Sequence, residues 1–248
     1  MAIRRETMVY DGPGGPFEGV AAYDDEVETP RPGVLVCPNV LGQKEADNVT
    51  AEKLAALGYV AFACDVFGRG RRTTRESADI GVYMNEMLAD RGQLRDRLAA
   101  SLGVLAGMDR VAPGKLAAIG FCFGGLCVLD LARSGQDVLG VVSFHGVYGR
   151  PDYANVQPIR AKVLVAHGWD DPLGPPDAVV ELAQELTEAG ADWQLHAYGH
   201  AGHAFTDESA KGGGRPGFGY EERAERRSWA ACEAFLAEVF GSPRAPSS

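Results

Sequence analysis

Short, unbroken apolar runs alternate with longer helix-like stretches along this chain. Residues 33–37, 59–64, 115–119, 138–144, 162–167 and 193–198 read as strands. Residues 45–57, 84–106, 126–134, 176–189 and 220–240 read as helices, with Gly58 and Gly190 at the C-cap positions that favour glycine. Strands that are apolar throughout must be covered on both faces. The pattern therefore predicts an α/β fold, with a mostly parallel sheet and helices on both sides. Residues 7–10 and 19–23 add an antiparallel edge. No Pro/Gly/Ser-rich linker divides the middle, so one domain is expected over 1–240, with a flexible tail over 241–248.

The 248 residues are 46% apolar and 23% charged, as in an ordinary globular chain. Acidic residues outnumber basic ones by 34 to 24, giving a net charge of −10 without a basic cluster. That balance disfavours nucleic acid and anionic membrane surfaces as partners. No apolar run approaches the roughly 20 residues that span a bilayer. The N-terminal basic residues Arg4 and Arg5 have no apolar segment behind them, so a signal peptide is not expected. Five cysteines without paired spacing fit reduced thiols in a cytoplasmic protein.

In open α/β sheets, chemistry gathers at the carboxyl ends of the strands. There, Gly120-Phe121-Cys122-Phe123-Gly124-Gly125 follows one strand and opens the next helix. The pattern G-x-C-x-G-G has the form of a nucleophile elbow, with sulfur in place of the hydroxyl. Its glycines suit a turn too sharp for neighbouring Cβ atoms, and the helix N-terminus favours thiolate. A buried structural cysteine in a Gly-rich turn is the alternative.

A thiol nucleophile needs a base and a group to orient it. Asp170 and Asp171 lie just past the strand ending at 167, and Asp171 is favoured as the acid. His203 is the expected base and His200 its rival; a metal site on these two histidines lacks a further ligand at suitable spacing. His145 and His167 end strands and read as hydrogen-bonded packing residues. The oxyanion donors should be the Phe123 and Val40 N–H groups.

Together these segments resemble the dienelactone hydrolase family of α/β-hydrolases. The likeness rests on G-x-C-x-G-G, the loop Gly168-Trp169-Asp170-Asp171-Pro172, the segment Ala201-Gly202-His203-Ala204-Phe205 and the stretch 65–70, in that family's order along nearly the whole chain. The resemblance implies a single α/β-hydrolase domain without a large cap. It implies hydrolysis of a carboxylic ester or lactone by a Cys122-His203-Asp171 triad, without cofactor or metal. The expected partner is a small-molecule substrate, and the chain a monomer or small homo-oligomer.

Two departures set this chain apart. Asn39 stands where well-characterised members carry a glutamate that contacts the resting thiol, so Asn39 is expected near the thiol or substrate. After His203, where members place an arginine for the substrate carboxylate, this chain has Asp207. Arg69, Arg71 and Arg72 could replace that cation or form a solvated basic loop. Dienelactone itself is therefore not the expected substrate. Thioester hydrolysis or acyl transfer, a non-catalytic binding role and a redox-sensing thiol are the competing readings.

Overall fold

The structure is a computed structural model describing residues 2–212 and 215–241. The expected tail thus lies, from residue 242 on, outside the described residues. Eight strands form one sheet: β1 (Ile3–Tyr10), β2 (Phe17–Asp24), β3 (Arg31–Cys37), β4 (Val60–Ala63), β5 (Val111–Phe121), β6 (Gly140–Phe144), β7 (Lys162–Gly168) and β8 (Trp193–Tyr198). The helices are α1 (Glu45–Ala56), α2 (Val82–Ala89), α3 (Arg91–Ala106), α4 (Phe123–Arg133), α5 (Pro176–Glu188) and α6 (Glu222–Phe240). The strand order is β1-β2-β4-β3-β5-β6-β7-β8. The β1–β2 and β2–β4 pairs are antiparallel and the rest parallel, as the sequence predicts.

The unbroken apolar runs have a direct physical consequence. Because alternate strand residues face opposite sides, each run divides between two cores. Leu35, Phe62, Val163 and Val165 pack with Leu94 and Leu98 of α3, Leu126 of α4 and Leu182 of α5. Val34, Ala61, Ile119 and Leu164 pack with Leu54 of α1 and with Phe235 and Leu236 of α6. Each fully buried large aliphatic side chain contributes about 1.5–3 kcal/mol. The central strands are thus clamped from both faces, and their carboxyl ends form a rigid platform.

Three elements differ from the sequence expectation. The helical stretch 84–106 is two helices, broken at Asp90, whose carboxylate caps α3 by accepting the Gln93 N–H at 2.8 Å. β1 begins at Ile3 although most of its residues are exposed; it is an edge strand without an inward apolar pattern. β5 begins at Val111 and carries Pro113 and Gly114 through a register shift against β3.

Candidate active site

Cys122 sits between β5 and α4 with φ 56° and ψ −114°, a backbone conformation that costs an L-residue about 1–3 kcal/mol. The surroundings enforce it. The Cys122 N–H donates to the Phe144 carbonyl of β6 at 3.0 Å. A Cβ on Gly120 would lie 2.1 Å from the Gly124 carbonyl oxygen, and one on Gly124 2.2 Å from that of Cys37. A Cβ on Gly125 would meet Gly146 Cα and Ser143 Oγ at 2.7 Å. Glycine at these three positions lets α4 start against β3 and β6, with its N-terminus under the thiol.

Asp171 and His203 meet beside it. The Asp171 carboxylate is buried; Oδ1 accepts the Leu173 N–H and Oδ2 bonds His203 Nδ1, both at 2.8 Å. Asp170 is exposed. His203 is only 4% exposed. Its main chain is fixed by the segment 217–219: the His203 N–H donates to Gly217 O at 2.6 Å, and the Gly219 N–H donates to His203 O at 2.9 Å. That stretch therefore packs on the histidine turn, where the Phe218 ring lies 5.4 Å from the imidazole. Burial alone would lower the His203 pKa. The Asp171 bond and the Cys122 side chain outweigh it and push the pKa up to about 10. His203 Nε2 is buried without a completed hydrogen bond, although the thiol lies near enough to bias its titration. His200 is exposed at φ 65°.

The loop after β3 is shaped by its own asparagine. Asn39 Oδ1 accepts the Leu41 N–H and Asn39 O the Gly42 N–H, both at 3.0 Å. Among the described residues, the Val40 N–H has no such acceptor, nor does the Phe123 N–H at the first position of α4. The Asn39 side-chain oxygen thus closes an Asx turn that shapes this loop.

The arginines of the segment between β4 and α2 are each paired with a carboxylate, and Arg69 and Arg75 remain solvent-exposed. Arg69 pairs with Glu18 at 2.9 Å and Arg72 with buried Asp65 at 3.3 Å. Arg71 pairs with Glu86 and lies over the Tyr83 ring. Arg75 reaches Asp207 at 2.7 Å, clasping this segment to the one that follows His203. Sequence reasoning missed that clasp, and no local pattern announces a pair 132 positions apart. Cavities of about 320 Å³ beside Tyr148 and Glu185, and about 200 Å³ beside Arg31 and Arg110, include none of Cys122, Asp171 and His203.

His145 and His167 are both almost wholly buried. Each bonds a hydroxyl through one ring nitrogen, Thr206 Oγ1 at 2.7 Å and Tyr148 OH at 2.9 Å, and leaves the other without a partner. Cys127 is fully buried, and burial pushes its thiol pKa up.

The family model for the dienelactone hydrolase family matches residues 17–240. A solved structure described as m3DLH is 35% identical, with a TM-score of 0.92 over 97% of this chain and 100% of that one. A dienelactone hydrolase-like promiscuous phosphotriesterase from metagenomic libraries is 34% identical, with a TM-score of 0.88 and the same coverage. A probable 2-oxo-3-(5-oxofuran-2-ylidene)propanoate lactonase of Bradyrhizobium is 28% identical over 183 residues, 70% of this chain and 73% of that protein.

Proposed function

This chain belongs to the dienelactone hydrolase family and is an ester or lactone hydrolase, and on that premise we propose that it works through a Cys122 thioester on uncharged substrates. The observation that carries the reading is the buried 2.8 Å Asp171–His203 pair beside a cysteine held at positive φ on a helix N-terminus.

His203 Nε2 takes the thiol proton and Cys122 Sγ attacks the carbonyl carbon. The Phe123 and Val40 N–H groups hold the oxyanion; removing one such donor costs on the order of 100-fold or more in rate. His203 returns the proton to the departing alkoxide, leaving a thioester. It then takes a proton from water, which attacks the thioester and releases the acid, and the proton goes back to sulfur. Asp171 keeps Nδ1 protonated and stabilises each imidazolium stage.

The pairing of Arg69, Arg71 and Arg72 with carboxylates supports a neutral acyl group rather than the carboxylate of a dienelactone. Similarity to the promiscuous phosphotriesterase supports a second electrophile class, neutral phosphotriesters, for the same thiol. Five free cysteines fit a reducing, cytoplasmic setting.

The test is p-nitrophenyl acetate with peptide mass analysis after quenching. Turnover with an acetyl group on the Cys122 peptide is expected, both absent in Cys122→Ala. Turnover unchanged in Cys122→Ala would overturn the mechanism.

A further inference from the structure

The turn carrying His203 is strained, and backbone bonds with Gly217, Gly219 and Glu221 hold its main chain. Ala204, the next residue, stands at φ 62°, which an alanine rarely adopts. The Asp171 bond fixes the rotation of the imidazole; it does not fix where the following turn lies. A side chain from β6 reaches that turn. His145, immediately after β6, bonds Thr206 Oγ1 through Nε2 at 2.7 Å. Its ring meets the His203 ring edge-on, with centroids 5.2 Å apart at 69°, and meets Phe205 at 5.1 Å and 78°.

His145 occupies this place at a cost. Its own φ is 37°, and its ring is buried with Nδ1 unpartnered. The neighbouring structure enforces the position: the His145 N–H donates to Ala166 O of β7 at 2.8 Å, and a Cβ on Gly146 would lie 2.3 Å from Ser143 Oγ. A phenylalanine would pack against the same rings without leaving a buried nitrogen unpaired. A histidine here supplies a hydrogen bond that a hydrocarbon cannot. Burial, reinforced by His203, holds the His145 pKa well below the ordinary histidine value. A neutral imidazole does not repel the His203 imidazolium that forms during turnover.

We propose that His145 is a positioning residue for His203, holding the 203–206 turn through Thr206 so that Nε2 stays aligned with the Cys122 thiol. This rests on the thiol mechanism above. It adds a fourth side chain, and through it β6, to the machinery.

The experiment measures p-nitrophenyl acetate kinetics and Cys122 acetylation in wild type, Thr206→Val, Thr206→Ser and His145→Asn. Thr206→Val keeps the shape of the side chain and removes the acceptor and donor. Its kcat should fall roughly 10- to 100-fold, the scale of a small misplacement of a catalytic group. KM and the thermal midpoint should stay near wild type, and Thr206→Ser should restore kcat. His145→Asn, which tolerates positive φ, should lose kcat in the same way, and decides the matter if Thr206→Val does not fold. Folded Thr206→Val or His145→Asn with wild-type kcat would overturn the proposal, as would a loss in Thr206→Val that Thr206→Ser fails to restore. Wild type that turns over without acetylating Cys122 would instead overturn the thiol mechanism, a separate result.

Discussion

The two ends of α4 bury polar groups in opposite ways. At its N-terminus, Cys122 is strained, and His203 Nε2 and His145 Nδ1 are buried without partners. Toward its C-terminus, Asp130 accepts Arg91 at 2.6 and 2.8 Å and Arg133 at 3.3 Å. Arg133 also donates to Glu185 at 2.8 and 2.9 Å and to the Tyr148 carbonyl at 3.0 Å. No side-chain polar atom of this second group is buried without a partner. One helix thus joins a completed ionic network to an incomplete one. The completed network ties the 148–149 backbone down. The incomplete one leaves capacity for substrate, because a nitrogen already satisfied cannot accept the thiol proton.

That contrast is tested most strongly at the acid. Asp171→Asn should lower kcat/KM by on the order of 10³–10⁴-fold, since the amide no longer favours the required tautomer or stabilises the imidazolium. Asp170→Asn should leave it unchanged, because that side chain is exposed. Ester kinetics on the two variants check this, and equal losses would remove the distinction between the neighbours. At the other end, Asp130→Ala leaves Arg91, only 8% exposed, without its carboxylate, while Arg133 keeps Glu185. It should cost about 3–5 kcal/mol in urea unfolding, with the rate per folded molecule close to wild type. A variant that unfolds normally but turns over slowly would show that the network belongs to the reaction.

The sequence made the N-terminal end of α4 legible because its chemistry is local. Three glycines around one cysteine occupy six positions, and each glycine answers a specific close approach. The parallel sheet was legible for a similar reason, since doubly buried strands have no polar face to hide. Asp171 stood out from Asp170 only through a motif; the discriminating fact is burial, which one residue of register decides. The break at Asp90 was hidden by good helix formers on both sides of a single capping side chain. The Arg75–Asp207 clasp and the His145–Thr206 bond, the latter across 61 positions, join distant segments and have no local signature. The family resemblance sets Asn39 against a glutamate, but its own short side chain also closes an Asx turn.

The smallest effect predicted lies in the titration of His203, and it sharpens what the incomplete end of α4 is for. Burial lowers this pKa, Asp171 and Cys122 raise it, and together they leave it at about 10. Of the two raising influences, only Cys122 is changed by the reaction: acylation turns its sulfur into a thioester, which is uncharged and a weak hydrogen-bond acceptor. The His203 midpoint should therefore fall in the acyl-enzyme, where the neutral imidazole takes a proton from water. Cys122→Ala imitates that change. In NMR titrations of the imidazole carbon-bound protons, the His203 midpoint should sit near 10 in wild type and move down in Cys122→Ala. An unchanged midpoint would mean that Asp171 alone sets the base, and that the empty side of Nε2 plays no part in separating acylation from deacylation.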